Sequence, residues 1–372
     1  MAVASALVLL VSGGVLLAAQ GIDAGLSRVD VVSDSAGAAV GADQDILLVG
    51  LDTRTDSLGN PLPRDQLAAL HAGADDSGGD ETDTLIVLHV PGDGGPATGF
   101  SIPRDSYVEL PDGYGKHKIN SAYAYGANAA RPRLAQDGVS GSDLAVQAGA
   151  AGLRTTIGAV QSLTGLTITH AVTVNLAGFA AISQAVGGVP VCLDAPVDDP
   201  FSGARFPAGP QTVSGAQALA FVRQRHGLPG GDLDRARRQQ VFLASMAHTV
   251  LSSDTLTDPT RRAALLDAVD RAVTVDRSFD VLGLATQLPA ISSGTIGFHT
   301  IPVVDASYRT PQDGDAVQVD PAAVQRFVAD TIAGSAPAAS GPAPAATGPS
   351  PTPAAPTTPA APTPPAAVPC VH

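Results

Sequence analysis

Strand-length apolar runs near the start of the chain restrict its fold more than any other feature: residues 45–51 (DILLVGL), 84–90 (TLIVLHV) and 98–102, the last leading into Pro103-Arg104-Asp105. A strand with one wet face alternates apolar and polar side chains, and these do not. Each is expected to be buried on both sides, in a sheet covered on both faces. Pairing then gathers the polar residues at the run ends. Asp52 follows the first run and Asp83 precedes the second. If those strands pair antiparallel, the two carboxylates converge at one sheet edge. Aspartate is also a common turn or cap residue, and either one alone would be read so. As a pair flanking buried strands they suit Mg²⁺, which takes one or two carboxylates and completes its shell with phosphate oxygens and water.

Charge is distributed unevenly along the chain. The formal net charge is −14 with a pI near 4.7, and only 21 residues are Lys or Arg. A nucleic-acid surface should be broadly basic, so that class of partner is excluded. Yet Arg223, Arg225, Arg235, Arg237 and Arg238 all fall within residues 221–240. Crowded guanidiniums repel one another unless an anion lies between them, and their planar fork matches phosphate oxygens. Pro229-Gly230-Gly231 forms a turn, Asp232 is a good N-cap, and a helix should begin near Leu233. Arg235, Arg238 and Gln239 then share a face at i, i+3 and i+4, while Arg237 points elsewhere. The helix start adds free N–H groups and a positive dipole end. Arg223 and Arg225 are two apart and share a pocket only if the chain leaves the helix there, which Gly227 and Pro229 permit.

The remaining chain supports a domain over residues 45–333. With 44% hydrophobic residues it can bury a sizeable core. Residues 115–123 read as a loop entering a helix, with Lys118 and Asn120 as donors. Helical stretches are expected over 142–164, 176–186, 214–222, 259–273, 278–291 and 321–332, and strands over 171–174, 189–193, which returns to the sheet, and 295–303. Residues 2–22 are uncharged and long enough to span a bilayer. They suggest a single anchor with everything after it outside the cytoplasm, although Ala18-Ala19 also admits cleavage as a signal peptide. Residues 23–44 read as a linker, and 334–372 as a disordered Pro/Ala-rich tail. Cys192 and Cys370 allow one disulfide, but nothing in their positions pairs them.

Six motifs in order, GLDTR (50–54), TDT (82–84), SIPRDSYV (101–108), KIN (118–120), FVRQRHGLPGGDLDR (221–235) and RRQQ (237–240), resemble the LytR-CpsA-Psr family in its actinobacterial branch. The resemblance runs from about Asp45 to Ser252 and on toward Val303. It implies a three-layer α/β/α sandwich with a central mixed sheet and an apolar cavity for a polyprenyl chain. It also implies a membrane-anchored phosphotransferase that moves a glycopolymer from a polyprenyl-pyrophosphate carrier onto peptidoglycan, with Mg²⁺ (or Mn²⁺). On that basis Asp52 and Asp83 are metal ligands. Arg104, Arg223, Arg225, Arg235 and Gln239 hold pyrophosphate, and Arg54, Lys118, Asn120 and Arg238 lie in or beside the same motifs. Arg104, Asp83 and Asp105 carry the chemistry, with the general base open between Asp105 and the metal-bound carboxylates. One departure stands out: many members have Arg-Ser-Asp or Arg-Thr-Asp where this chain has Glu81-Thr82-Asp83. A pyrophosphate hydrolase or a non-catalytic lipid- or wall-binding protein would use the same residues. A transcription regulator is disfavoured by the apolar leader and the negative charge.

Overall fold

The computed structural model describes residues 26–32, 42–72, 80–224, 226–228, 232–251, 258–279, 297–334 and 368–372. The expected anchor (1–22), nearly all of the expected helix over 278–291 and most of the Pro-rich tail lie outside these residues. In chain order the elements begin with strands β1 (Ser27–Val29) and β2 (Gln44–Leu51) and a short helix α1 (Arg64–Ala69). Strands β3 (Thr82–Val90), β4 (Thr98–Ile102), β5 (Ser106–Leu110) and β6 (Gly115–Lys118) precede helices α2 (Ala122–Gln136) and α3 (Gly141–Thr164). Then come β7 (His170–Asn175), α4 (Leu176–Ala185), β8 (Val189–Leu193), β9 (Val197–Asp199), β10 (Ala204–Phe206) and β11 (Gly209–Val213). Helices α5 (Gly215–Arg223), α6 (Asp232–Leu251) and α7 (Pro259–Ala272) lead to β12 (Val273–Asp276) and β13 (Gly297–Thr300). The last elements are β14 (Asp305–Thr310), β15 (Gly314–Gln318), α8 (Pro321–Ile332) and β16 (Cys370–Val371).

The main sheet has seven strands in the order β1-β12-β7-β2-β3-β4-β13. Central β2 pairs antiparallel with β3 and parallel with β7, so the sheet is mixed. The pleat sends successive side chains of β2 to opposite faces. Leu47, Val49 and Leu51 join Leu85 and Val87 in a core shared with Leu153, Ile157 and Val160 of α3 and Val324 and Val328 of α8. Ile46 and Leu48 enter the opposite core, with Val172, Val174, Ile182 of α4 and Val269 of α7. The result is a three-layer sandwich, and it explains why β2 and β3 carry no polar face. Asp258 caps α7 by accepting from the N–H groups of Thr260 and Arg261 at 2.8 and 3.2 Å.

Four stretches differ from the reading above. Residues 23–44 are not wholly a linker: β1 pairs parallel with β12, and Leu26, Val29, Val31 and Val32 are buried. Those four apolar side chains give the segment a core to join. Strand β8 does not return to the main sheet but forms the centre of a second one, ordered β11-β8-β16. There Val189, Val191 and Leu193 pack with Leu219, Phe221 and Phe242 of α5 and α6. Residues 115–118 form a strand against β5 rather than a loop. The tail also ends in structure, because Cys370 is joined to Cys192 by a disulfide and β16 pairs parallel with β8. Val371 is buried there, giving the end of the chain an apolar anchor.

Candidate functional site

Antiparallel pairing of β2 and β3 places Asp52 and Asp83 at one end of the sheet. The register sets Gly50 opposite Thr84 and Leu51 opposite Thr82, so Asp83 is the extra residue of a β-bulge. A bulge re-aims the inserted side chain. The ladder then continues, with the Asp52 N–H donating to the Glu81 carbonyl at 3.1 Å. Gly50 permits the close approach, since a Cβ there would lie 3.0 Å from Cβ of Thr84.

The two carboxylates have opposite proton affinities. Burial, and then the charge of Asp83, push the Asp52 carboxyl above its ordinary range against the pull of Arg223, Arg54 and Arg104. Burial also acts to raise Asp83, but the charges of Arg104, Arg235 and Arg223 and the hydrogen bond from Arg104 outweigh it and hold Asp83 low. Oδ1 of Asp52 is buried and has no hydrogen-bond partner among the described residues. A hard divalent cation fits this donor set, because it would use the orphaned oxygen and relieve the like-charge repulsion. Among the described residues no group of three or more His, Cys, Asp or Glu forms a complete metal cage. Further oxygen ligands would have to come from substrate and water, as is usual for Mg²⁺.

Guanidiniums surround the pair. Nη1 of Arg104 donates to Oδ1 of Asp83, lies 4.0 Å from Oε2 of Glu81, and its Nε lies 3.8 Å from Oδ2 of Asp105. Arg223 ends α5 and reaches to 3.9 Å from Oδ2 of Asp52, while its Nη1 donates to the carbonyls of Leu70 and His71 at 3.5 and 3.3 Å. Arg54 is held through Nη2 by the Ala72 carbonyl at 2.8 Å, and its Nε and Nη1 are buried with no partner among the described residues. Arg235, itself buried, is one of the charges that lower Asp83. Lys118 sits 3.5 Å from Asp105, and Nδ2 of Asn120 donates to Glu81 at 3.3 Å. Glu81 thus faces Arg104 and Asn120. Sequence reading missed the carbonyls of residues 70–72 that hold Arg54 and Arg223, because main-chain acceptors leave no residue signal.

Arg238, on the helix face shared with Arg235 and Gln239, is engaged by groups of the protein itself. It is fully buried, with Nε donating to the His372 carbonyl and Nη1 to the side-chain oxygen of Gln224. Its guanidinium carbon lies 5.2 Å over the Phe221 ring, and burial pushes its pKa down to about 10. Those contacts tie α6 to the end of α5 and to the chain's last residues. Arg237 is exposed, as the helix face implies. Arg225 and the Pro229-Gly230-Gly231 turn lie outside the described residues, and α6 begins at Asp232.

Beside this cluster lies a cavity of about 250 Å³ between β2, β7 and helices α4, α5 and α6. Its walls include Leu48, Val172, Phe179, Leu219, Phe242 and Met246, and its polar lining includes Asp83, Arg223 and Gln239. Gln239 is anchored there by donating to the Val222 carbonyl at 3.3 Å. One continuous surface therefore runs from apolar walls to the charged cluster.

With this geometry the chain can be set beside known proteins. A model described as the LytR_cpsA_psr family matches residues 23–327. Over 340 residues the chain is 44% identical to the cell wall biosynthesis protein LcpA of Corynebacterium glutamicum, covering 90% of this chain and 65% of that one. The chain thus spans less than two thirds of that relative's length. It is 31% identical over 278 residues to a polyisoprenyl-teichoic acid–peptidoglycan teichoic acid transferase, TagU, of Oceanobacillus iheyensis, covering 74% of this chain and 75% of that one. The solved LytR-Csp2A-Psr enzyme from Actinomyces oris superposes with a TM-score of 0.55 at 19% identity, over 82% of this chain and 94% of that one, a likeness of fold.

Proposed function

Because the chain belongs to the LytR-CpsA-Psr family, we propose that it is an extracytoplasmic phosphotransferase that moves a glycopolymer from a polyprenyl-pyrophosphate carrier onto peptidoglycan. The observation that carries this reading is the continuity of the apolar cavity with Asp83, Arg223 and Gln239. A ligand suited to both must join a long hydrocarbon to an anion, as a polyprenyl diphosphate does. The names of the relatives, a cell wall biosynthesis protein and a polyisoprenyl-linked teichoic acid transferase, agree with it. The uncharged residues 2–22 would hold the domain at the membrane where such a carrier lies.

In this reading Asp52 and Asp83 hold Mg²⁺ (or Mn²⁺), which when bound neutralises charge on phosphate oxygens. Arg54, Arg223 and Arg235 grip the diphosphate. Arg104 exchanges its carboxylate partners for phosphate oxygens and meets the charge that grows at the reacting phosphorus. A hydroxyl of the acceptor attacks the phosphorus nearer the glycan. The bond to the bridging oxygen breaks and polyprenyl phosphate leaves. The hydroxyl proton passes to solvent through a carboxylate of the site; Asp105, paired with Lys118, lies outside the metal pair. Positioning and charge neutralisation are sufficient, and no covalent protein intermediate is needed.

Product analysis tests this. The full chain in detergent, given a polyprenyl-diphosphate-linked glycan and peptidoglycan in ¹⁸O-water, should yield polyprenyl phosphate and a glycan phosphodiester on peptidoglycan without ¹⁸O. A soluble ¹⁸O-labelled glycan phosphate as the main product would identify a hydrolase instead.

A further inference from the structure

Aromatic side chains are scarce in this chain, which has no Trp, nine Phe and five Tyr. Most contribute to cores, yet Phe201 is 74% exposed, the most open large apolar side chain among the described residues. It sits at the tip of the hairpin formed by β9 and β10. That tip is rigidly built. Asp199 is only 2% exposed, and its Oδ1 accepts the Phe201 N–H at 3.0 Å while Oδ2 accepts the Ser202 hydroxyl at 2.7 Å. Gly203 adopts φ +74° and presses on the His71 ring, where a Cβ would come within 2.9 Å. A side chain held out by a buried carboxylate and a left-handed glycine is presented to solvent by the fold.

Contacts on both sides tie this tip to its surroundings, and one of them leads to the anion site. The Phe201 ring lies on the His226 ring, with centroids 4.4 Å apart and planes at 34°. His226 belongs to the arginine-rich stretch, and its carbonyl accepts from Nε2 of Gln224 at 3.0 Å. Nδ1 of His226 also lies 3.8 Å from the buried Asp199 carboxylate. On the other side, the His71 carbonyl accepts from Arg223, which reaches toward Asp52. Asp198 and Arg205, an exposed pair 3.1 Å apart, add polar groups on the same hairpin.

We propose that Phe201, backed by His226, is a stacking platform for a pyranose ring next to the diphosphate. This rests on the phosphotransferase reading. The C–H face of a pyranose lies well against the electron-rich face of an aromatic ring, while its hydroxyls need neighbouring charged or polar groups. A lipid chain would instead use the apolar cavity. The platform makes glycan selection separable from diphosphate binding.

The test measures binding of three probes to the full chain in detergent: farnesyl diphosphate, farnesyl-diphospho-N-acetylglucosamine and a soluble peptidoglycan disaccharide. Phe201→Ala should weaken a sugar-bearing probe about five- to tenfold, leave farnesyl diphosphate within about twofold, and be rescued by Phe201→Trp. Loss on the diphospho-sugar places the donor's ring on Phe201, and loss on the disaccharide places the acceptor's. Equal affinity of wild type and Phe201→Ala for both sugar probes overturns the platform. If neither diphosphate probe binds wild type, the phosphotransferase reading fails, and the disaccharide alone then decides for or against the platform.

Discussion

The negative charge of Asp83 helps keep its neighbour Asp52 protonated to higher pH than an ordinary aspartate, although arginines hold Asp83 itself ionised. Where that proton is bound, a cation must displace it. Divalent-ion binding should therefore weaken as the pH falls through the raised Asp52 value, while Asp83 is still charged. Asp83→Asn removes the like charge and should shift the Asp52 titration downward, seen by carboxyl-resolved NMR. An unchanged Asp52 titration in that variant would remove the electrostatic coupling between them.

The arginines should separate into two classes. Arg104→Ala and Arg223→Ala should each raise the barrier by about 2–4 kcal/mol, as for lost donors to a developing charge, with little change in melting temperature. Arg238→Ala should do the reverse, costing about 2–3 kcal/mol of stability through lost charge-assisted hydrogen bonds. Parallel turnover and thermal-melting measurements check both, and Arg238→Ala with full stability would contradict the bracing role.

The contrast shows what the residues alone could specify. Strands β2 and β3 were legible because apolar runs without a polar face fit only a covered sheet, and antiparallel pairing then brings Asp52 and Asp83 to one edge. Helical spacing gave a face shared by Arg235, Arg238 and Gln239, but not what covers it. Arg238 is claimed by Gln224 and by the carbonyl of His372, and the latter arrives only because Cys370 meets Cys192 across 178 residues of sequence separation. No local pattern encodes such a meeting. For the same reason β1 and β16, short strands completed by distant partners, read as linker and tail.

Reduction of the Cys192–Cys370 bond should therefore act on the arginine helix as well as on the chain's end. Closing so long a loop restricts the unfolded chain, so the double variant Cys192→Ser/Cys370→Ser should lose about 2–4 kcal/mol in denaturant titration. Hydrogen exchange should rise in β8 and around Arg238. Unchanged protection there would disconnect the tail from α6.

At the other end of β2, His89 lies 2.8 Å from Asp45, and that hydrogen bond holds the His89 pKa above 6.5 despite burial. A raised folded-state value stabilises the protein below the ordinary histidine pKa, and the contribution is lost as pH rises through the folded value. His89→Gln should flatten that part of the melting-temperature profile. A slope equal to that of wild type would exclude the pair as its source.

The most direct measurement is calorimetric binding of geranylgeranyl diphosphate to wild type and Asp52→Ala, each with Mg²⁺ and with chelator. Wild type should bind about tenfold or more tightly with Mg²⁺, and Asp52→Ala should show no such gain. Equal wild-type affinity in Mg²⁺ and in chelator, or a Mg²⁺ gain undiminished in Asp52→Ala, would contradict a cation and diphosphate sharing this site.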